Sequence, residues 1–282
     1  SPSPSRPRNT GTLSERCGVV TKRHQHNQSN LMARPHIALI DATLGDTHAQ
    51  RNFERELEAT LTIFRASEGE IPQPIAPKAE AKSAESNVTS PYDAVIVSGS
   101  QSSVYHDEPW IAELATWVRG AIAAELPILG VCWGHQLLAQ ILGGTVEHRG
   151  EYELGYVEVK QVGSDPLFDG VPNPFTVFAT HADEVMDVPD DVTVIARNAE
   201  GIQAFRKDRI YGVQFHPEYD MRTAEDMIQR KDISMRTIQR ALDSVTPDNV
   251  EAAQEAKTIF DNFLQFVVEV TKERTEADQP SR

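Results

Sequence analysis

Cysteine is scarce in this 282-residue chain, which holds only Cys17 and Cys132. Two cysteines cannot build a disulfide framework, and neither stands in the paired Cys/His spacing of a zinc site, so a reduced compartment without a bound metal is expected. Long apolar runs are missing too. None approaches the ~20 residues that a membrane span requires. Positive charge is outnumbered, with 27 Lys+Arg against 42 Asp+Glu, for a net charge of −15. Such a surface repels phosphate, which argues against nucleic acid or an anionic membrane as partner. A hydrophobic fraction of 39% still suffices for a core, and the length suits one large domain or two small ones. A soluble cytoplasmic protein is expected.

The charge is uneven. Residues 1–31 carry five basic residues and one acid, so 32–282 holds −19. The first stretch is rich in Ser, Pro, Arg and Asn with no apolar period, and reads as a disordered extension. Met32 stands just before the first strand-like run, so it is expected to be the natural start. The acidic remainder is poor in lysine, eight against 19 arginines in the whole chain. That balance suits molar salt, where the Debye length falls to ~3 Å and self-repulsion is screened. A halophilic source is therefore expected.

From residue 32 onward, apolar strands alternate with amphipathic helices. Strands are expected at His36–Asp41, Leu61–Arg65, Ala94–Ser98 and Ile128–Val131, and helices at Thr47–Ala59, Trp110–Glu125 and Gly134–Leu142. Residues 67–91, rich in Pro, Ala, Glu and Ser, read as a surface loop or insertion. This pattern predicts an α/β fold: an open, mostly parallel sheet with helices on both faces. Short strands at Tyr156–Val162, Phe175–Ala179, Val192–Arg197, Ile202–Arg206 and Ile210–Phe215 suggest an antiparallel or mixed extension. Helices are expected at Thr223–Arg230 and Ile233–Asp243, and a closing helix over Val250–Lys272. The helical stretch 219–249 is longer than a simple connection and suits a cover or a partner surface.

The chemistry concentrates at two places. Ile128 to Val131 runs into Gly130-Val131-Cys132-Trp133-Gly134 and then a helix. This is the strand–turn–helix pattern of a nucleophile elbow, with sulfur in place of a hydroxyl. The sharp turn needs glycines where side chains would clash, and the helix N-terminus favours a thiolate. A cysteine packed behind a strand would read the same way. The second place is Tyr211-Gly212-Val213-Gln214-Phe215-His216-Pro217-Glu218, an apolar strand ending in His-Pro-Glu. A thiol nucleophile needs a base that later serves as acid, and a carboxylate on the ring's far nitrogen fixes its tautomer. His181 is the rival base.

Gly-Val-Cys-Trp-Gly-His-Gln together with Tyr-Gly-Val-Gln-Phe-His-Pro-Glu resembles the class I (triad) glutamine amidotransferase family, nearest the amidotransferase domain of GMP synthetase and its stand-alone relatives. The resemblance spans about residues 34–218. It implies a flavodoxin-like class I glutaminase fold, with Cys132 as nucleophile, His216 as acid/base and Glu218 as its orienting partner. Ser98-Gly99-Ser100-Gln101-Ser102-Ser103-Val104-Tyr105 resembles the family's oxyanion loop, with Ser100 in place of a Gly and Gln101 in place of a Pro. It implies oxyanion donors at Gly99, Ser100 and Trp133. Thr180-His181-Ala182-Asp183-Glu184-Val185 resembles the segment near the glutamine pocket, which implies substrate contacts at Gln136, His181 and Asp183.

The resemblance implies hydrolysis of the glutamine side-chain amide through a glutamyl thioester, with no cofactor. The chain shows no Ser-Gly-Gly-x-Asp-Ser loop, so ammonia is expected to go to a separate synthetase, in GMP synthesis or elsewhere. Two alternatives stay open: a γ-glutamyl peptide or amide hydrolase with the same triad, and a non-catalytic binding protein on the same fold. The sequence does not fix the oligomeric state.

Overall fold

A computed structural model describes residues 34–45, 48–75 and 90–277. The expectations for residues 1–31 and Met32, and for 76–89 within the 67–91 loop, lie outside the described residues.

The apolar runs form the centre of one sheet. β1 (His36–Asp41) is flanked by β2 (Thr60–Arg65) and β3 (Ala94–Val97), followed by β4 (Ile128–Val131) and β9 (Ile210–Val213), all parallel. β3, β4 and β9 are buried at every position. Strands covered on both faces read as continuous apolar runs, which is why short segments such as AVIV and ILGV suffice. In β1, side chains alternate between the two faces. Ile37 and Leu39 pack with Phe53 of α1 (His48–Glu56) and with Phe260, Phe263 and Val267 of α7 (Thr258–Ala277). Ala38 and Ile40 pack on the other side with Leu114 and Val118 of α2 (Pro109–Ala123) and Leu138 of α3 (Trp133–Leu142).

The sheet continues beyond β9 through antiparallel strands, in the order β2-β1-β3-β4-β9-β8-β7-β5-β6. β7 is Thr193–Arg197 and β8 is Ile202–Lys207. The two outermost strands correct the sequence expectation. β5 runs from Thr145 to Gln161 and β6 from Phe175 to Asp187, both well beyond the short stretches expected. The first half of β5 is largely exposed and charged, and a break in its register against β6 lies between His148 and Glu153. Backbone pairing, rather than an apolar alternation, holds it as a strand.

The C-terminal part also departs from expectation. The single helix expected over Val250–Lys272 is α6 (Pro247–Ala252), a 3-10 turn (Glu255–Lys257) and α7. Thr246 caps α6 through Asn249 N, and Pro247 opens it. α6 sits beside β6, whereas α7 crosses beneath the parallel strands. The chain must redirect between them, with Ala256 fully buried at the bend. α4 (Met221–Gln229) and α5 (Met235–Asp243) start on side-chain caps, Asp220 accepting from Thr223 N and Ser234 from Thr237 N. Ala224, Ile228 and Ala241 from these helices pack on Phe178 of β6. Among the described residues no helix is long and apolar enough to cross a membrane.

Candidate active site

Cys132 occupies the turn between β4 and α3 with φ +53° and ψ −101°. This is a strained region for a residue with a Cβ, and the surroundings enforce it. Its N–H donates to Val213 O at 2.8 Å, which ties the turn to β9. The flanking glycines are sterically obligatory. A Cβ on Gly134 would fall 2.2 Å from Val97 O, and one on Gly130 would fall 2.4 Å from Gly134 O. Gly134 N in turn donates to Ser98 O at 3.1 Å, so the loop after β3 is held against the first turn of α3.

The same loop brings Gly99 beside His216 and Cys132. A Cβ there would stand 2.8 Å from His216 Cε1 and 3.6 Å from Cys132 Cβ. Only a residue without a side chain leaves the ring in place. Ser100 follows on the wall of the cleft that contains Cys132, and Trp133 borders its wider part.

His216 arrives just past the end of β9 and is anchored by its own N–H, which donates to Phe178 O at 2.9 Å. Its Nδ1 pairs with Glu218 Oε1 at 2.7 Å, both side chains almost wholly buried. The Cys132 sulfur lies close enough to bear on the charge of the ring, and both border the narrow end of one cleft. With Nδ1 committed to Glu218, Nε2 is the nitrogen left for sulfur. One face of the ring stacks on Tyr219 at 4.2 Å. Burial disfavours the charged imidazolium, but the Glu218 carboxylate and the Cys132 sulfur outweigh it, and the His216 pKa is pushed up to about 10. Arg55 of α1 donates to Glu218 O at 2.5 Å and to Asp220 Oδ2 at 2.9 Å, clamping the segment that carries the carboxylate.

The remaining expected residues form a second group. His181 is not the histidine at the sulfur. Its Nε2 meets Glu153 Oε2 at 2.8 Å and its Nδ1 meets Asp183 O at 3.0 Å. Asn198 and Gln203 complete the surroundings of Glu153, so His181 serves to hold β6 where Asp183 emerges. Gln136 Nε2 donates to Asp183 O at 2.8 Å and to Gln214 Oε1 at 3.1 Å. The Asp183 carboxylate accepts from Ser103 Oγ at 2.5 Å and Tyr105 Oη at 3.0 Å, and lies 2.9 Å from His148 Nδ1. His135, behind the turn, is fully buried, and desolvation pulls its pKa down to about 3, so it stays neutral.

The cleft has two parts that meet at Cys132. A narrow part of about 30 Å³ holds Gly99, His216 and Glu218. A wider part of about 290 Å³ is lined by Trp133, Gln136, His181 and Asp183. Sequence reasoning missed Tyr219, Met227 and Lys231, which α4 and its flanks add to the wall. Tyr219 lies one residue past His-Pro-Glu, and Lys231 is one of only eight lysines; nothing else in the sequence marks them. Among the described residues no group of three His, Cys, Asp or Glu side chains is placed to hold a metal ion.

Residues 38–235 match the sequence model of the family described as glutamine amidotransferase class-I. A glutamine-hydrolyzing GMP synthase from Pyrobaculum aerophilum is 47% identical over 126 residues, which cover 44% of this chain and 24% of that protein. A shorter relative from Methanopyrus kandleri, one subunit of a glutamine-hydrolyzing GMP synthase, is 42% identical over 101 residues, covering 34% of this chain and 54% of that one. The matched stretch thus spans about a quarter of the length of the full GMP synthases and about half of the shorter relative. The crystal structure of a glutamine amidotransferase from Thermotoga maritima has the same fold, with a TM-score of 0.63 at 20% identity, over 82% of this chain and 99% of that one.

Proposed function

The chain belongs to the class-I glutamine amidotransferases, and from that premise we propose that it hydrolyses the side-chain amide of glutamine with Cys132, His216 and Glu218. The observation that carries the reading is the pairing of the Glu218 carboxylate with the His216 ring in the cleft that also holds the Cys132 sulfur. An imidazole oriented by a carboxylate beside a thiol can take the thiol proton and later give it to a leaving group.

The steps follow from that arrangement. Cys132 Sγ attacks the carboxamide carbon of glutamine. The negative charge that builds on the carbonyl oxygen is met by backbone N–H groups of Trp133 and of the Gly99–Ser100 loop. One such donor is typically worth about 3–4 kcal/mol of barrier. His216 gives its proton to the departing ammonia, leaving a glutamyl thioester on Cys132. A water molecule, deprotonated by His216, attacks the thioester and releases glutamate and the free thiolate. Gln136 and Asp183 sit on the wide side of the cleft, where the amino-acid end of the substrate would lie.

The matching relatives are named GMP synthases, so the ammonia acceptor is taken to be a separate synthetase of that kind. Ammonia release from glutamine, measured with and without a GMP synthetase partner, tests both parts. Glutamine-dependent ammonia release that Cys132→Ala abolishes supports the first part. Stimulation by the synthetase supports the second. Release from γ-glutamyl peptides but not from glutamine would overturn the substrate.

A further inference from the structure

Lys231, on the turn between α4 and α5, lines both parts of the cleft together with Cys132. Its ammonium lies 4.8 Å above the Tyr152 ring, a position that fixes its direction without neutralising it. Among the described residues no carboxylate pairs with it. The neighbouring Arg230, by contrast, is paired with Asp226 at 3.1 Å. Burial lowers the Lys231 pKa, and Cys132 is the one charge acting to raise it. A desolvated cation without an acid partner is costly to hold in a fold. Here it lines a cleft that also holds Cys132, and Asp183 lines the same cleft.

We propose that Lys231 binds the α-carboxylate of the glutamyl substrate and thereby selects free γ-glutamyl amides over amides lacking that charge. This rests on the glutamine reading above. The arrangement accounts for both ends of an amino-acid zwitterion. The substrate carboxylate supplies the partner that Lys231 lacks, Asp183 faces the ammonium, and the side-chain amide extends to Cys132. The Arg51 and Arg55 pairs with Asp220, the cap of α4, hold the start of the helix that leads to Lys231.

The test uses Cys132→Ala full-length protein, so that binding is read without turnover. Calorimetry gives the Kd of L-glutamine and of L-glutaminamide, which keeps the side-chain amide but has a neutral α-amide. With Lys231 present, glutamine should bind at least about 10-fold more tightly than glutaminamide, the range of a charge-assisted hydrogen bond. Adding Lys231→Met should abolish that preference and leave glutaminamide affinity within about 3-fold. Lys231→Arg should restore most of it. An equal preference in the Lys231→Met protein would overturn the proposal, as would a wild-type cleft that binds both compounds alike. Turnover by the protein with Cys132 intact is measured separately. If it releases no ammonia from glutamine, the hydrolytic reading fails, while the binding ratio still decides the role of Lys231.

Discussion

Glu218 Oε1 stands 2.7 Å from His216 Nδ1, two residues apart and both almost fully out of water. The pair fixes which nitrogen faces the sulfur. Glu218→Gln keeps the shape but removes the charge and permits the opposite tautomer. The kcat for ammonia release should fall by about 10²–10⁴, the scale seen when an orienting carboxylate is neutralised. Glutamine binding to the variant, measured in parallel, should change little. A variant within 3-fold of wild-type kcat would show that the carboxylate does not orient the ring.

The same pair sets a pH window for stability. His216 is raised from an ordinary 6.5 to about 10 in the folded protein. A group with a raised folded pKa stabilises fully below its unfolded value and loses that contribution as pH rises through the folded value. Urea unfolding followed from pH 6 to pH 10.5 should show wild type losing stability across that interval relative to Glu218→Gln. Parallel curves for the two proteins would refute the linkage.

Gly99 offers a probe of alignment. Alanine there would place a methyl group 2.8 Å from His216 Cε1, so the ring must shift by several tenths of an ångström. A misplacement of about 1 Å can cost about 10²-fold in rate, and a shift of several tenths of an ångström is expected to cost roughly 10-fold. Gly99→Ala should therefore lose most of its kcat while its thermal unfolding midpoint moves little. Normal turnover would mean that the loop yields instead of the ring.

Gly134 should behave in the opposite sense. Its added methyl group would meet the backbone carbonyl of Val97 at 2.2 Å, and the first turn of α3 packed on the central strand β3 cannot yield as a loop can. Gly134→Ala should cost about 3 kcal/mol of stability by denaturant unfolding, at the upper end of overpacking penalties. Cys132→Ser, which leaves the turn geometry alone, serves as the comparison and should unfold like wild type.

How far the sequence foretold this arrangement differs by element. The buried parallel strands were legible because burial on both faces forces uninterrupted apolar runs, and β1 and β4 have the expected bounds. β5 was not, because a strand whose first half is charged, exposed and held by backbone pairing leaves no apolar period to read. The break between α6 and α7 was also hidden: local propensity is helical throughout, and only the need to pack against different strands interrupts it. At the cleft, residues fixed by steric necessity, such as Gly130 and Gly134, announce themselves through motif spacing. Lys231 and Tyr219 do not, since their place depends on how α4 lies over β6, and no local pattern records that.

β4 and β9 are parallel neighbours, Val131 beside Val213, yet everything between α3 and β8 is made after one and before the other. A ribosome extending the chain at about 5–20 residues per second therefore produces the sulfur several seconds before the imidazole proposed to activate it. Nor can the elbow close in that interval, because Cys132 N bonds to Val213 O. A nascent or truncated chain would carry an ordinary thiol. Reactivity would appear only once the last parallel strand has docked, so glutamine could not be consumed by unfinished protein.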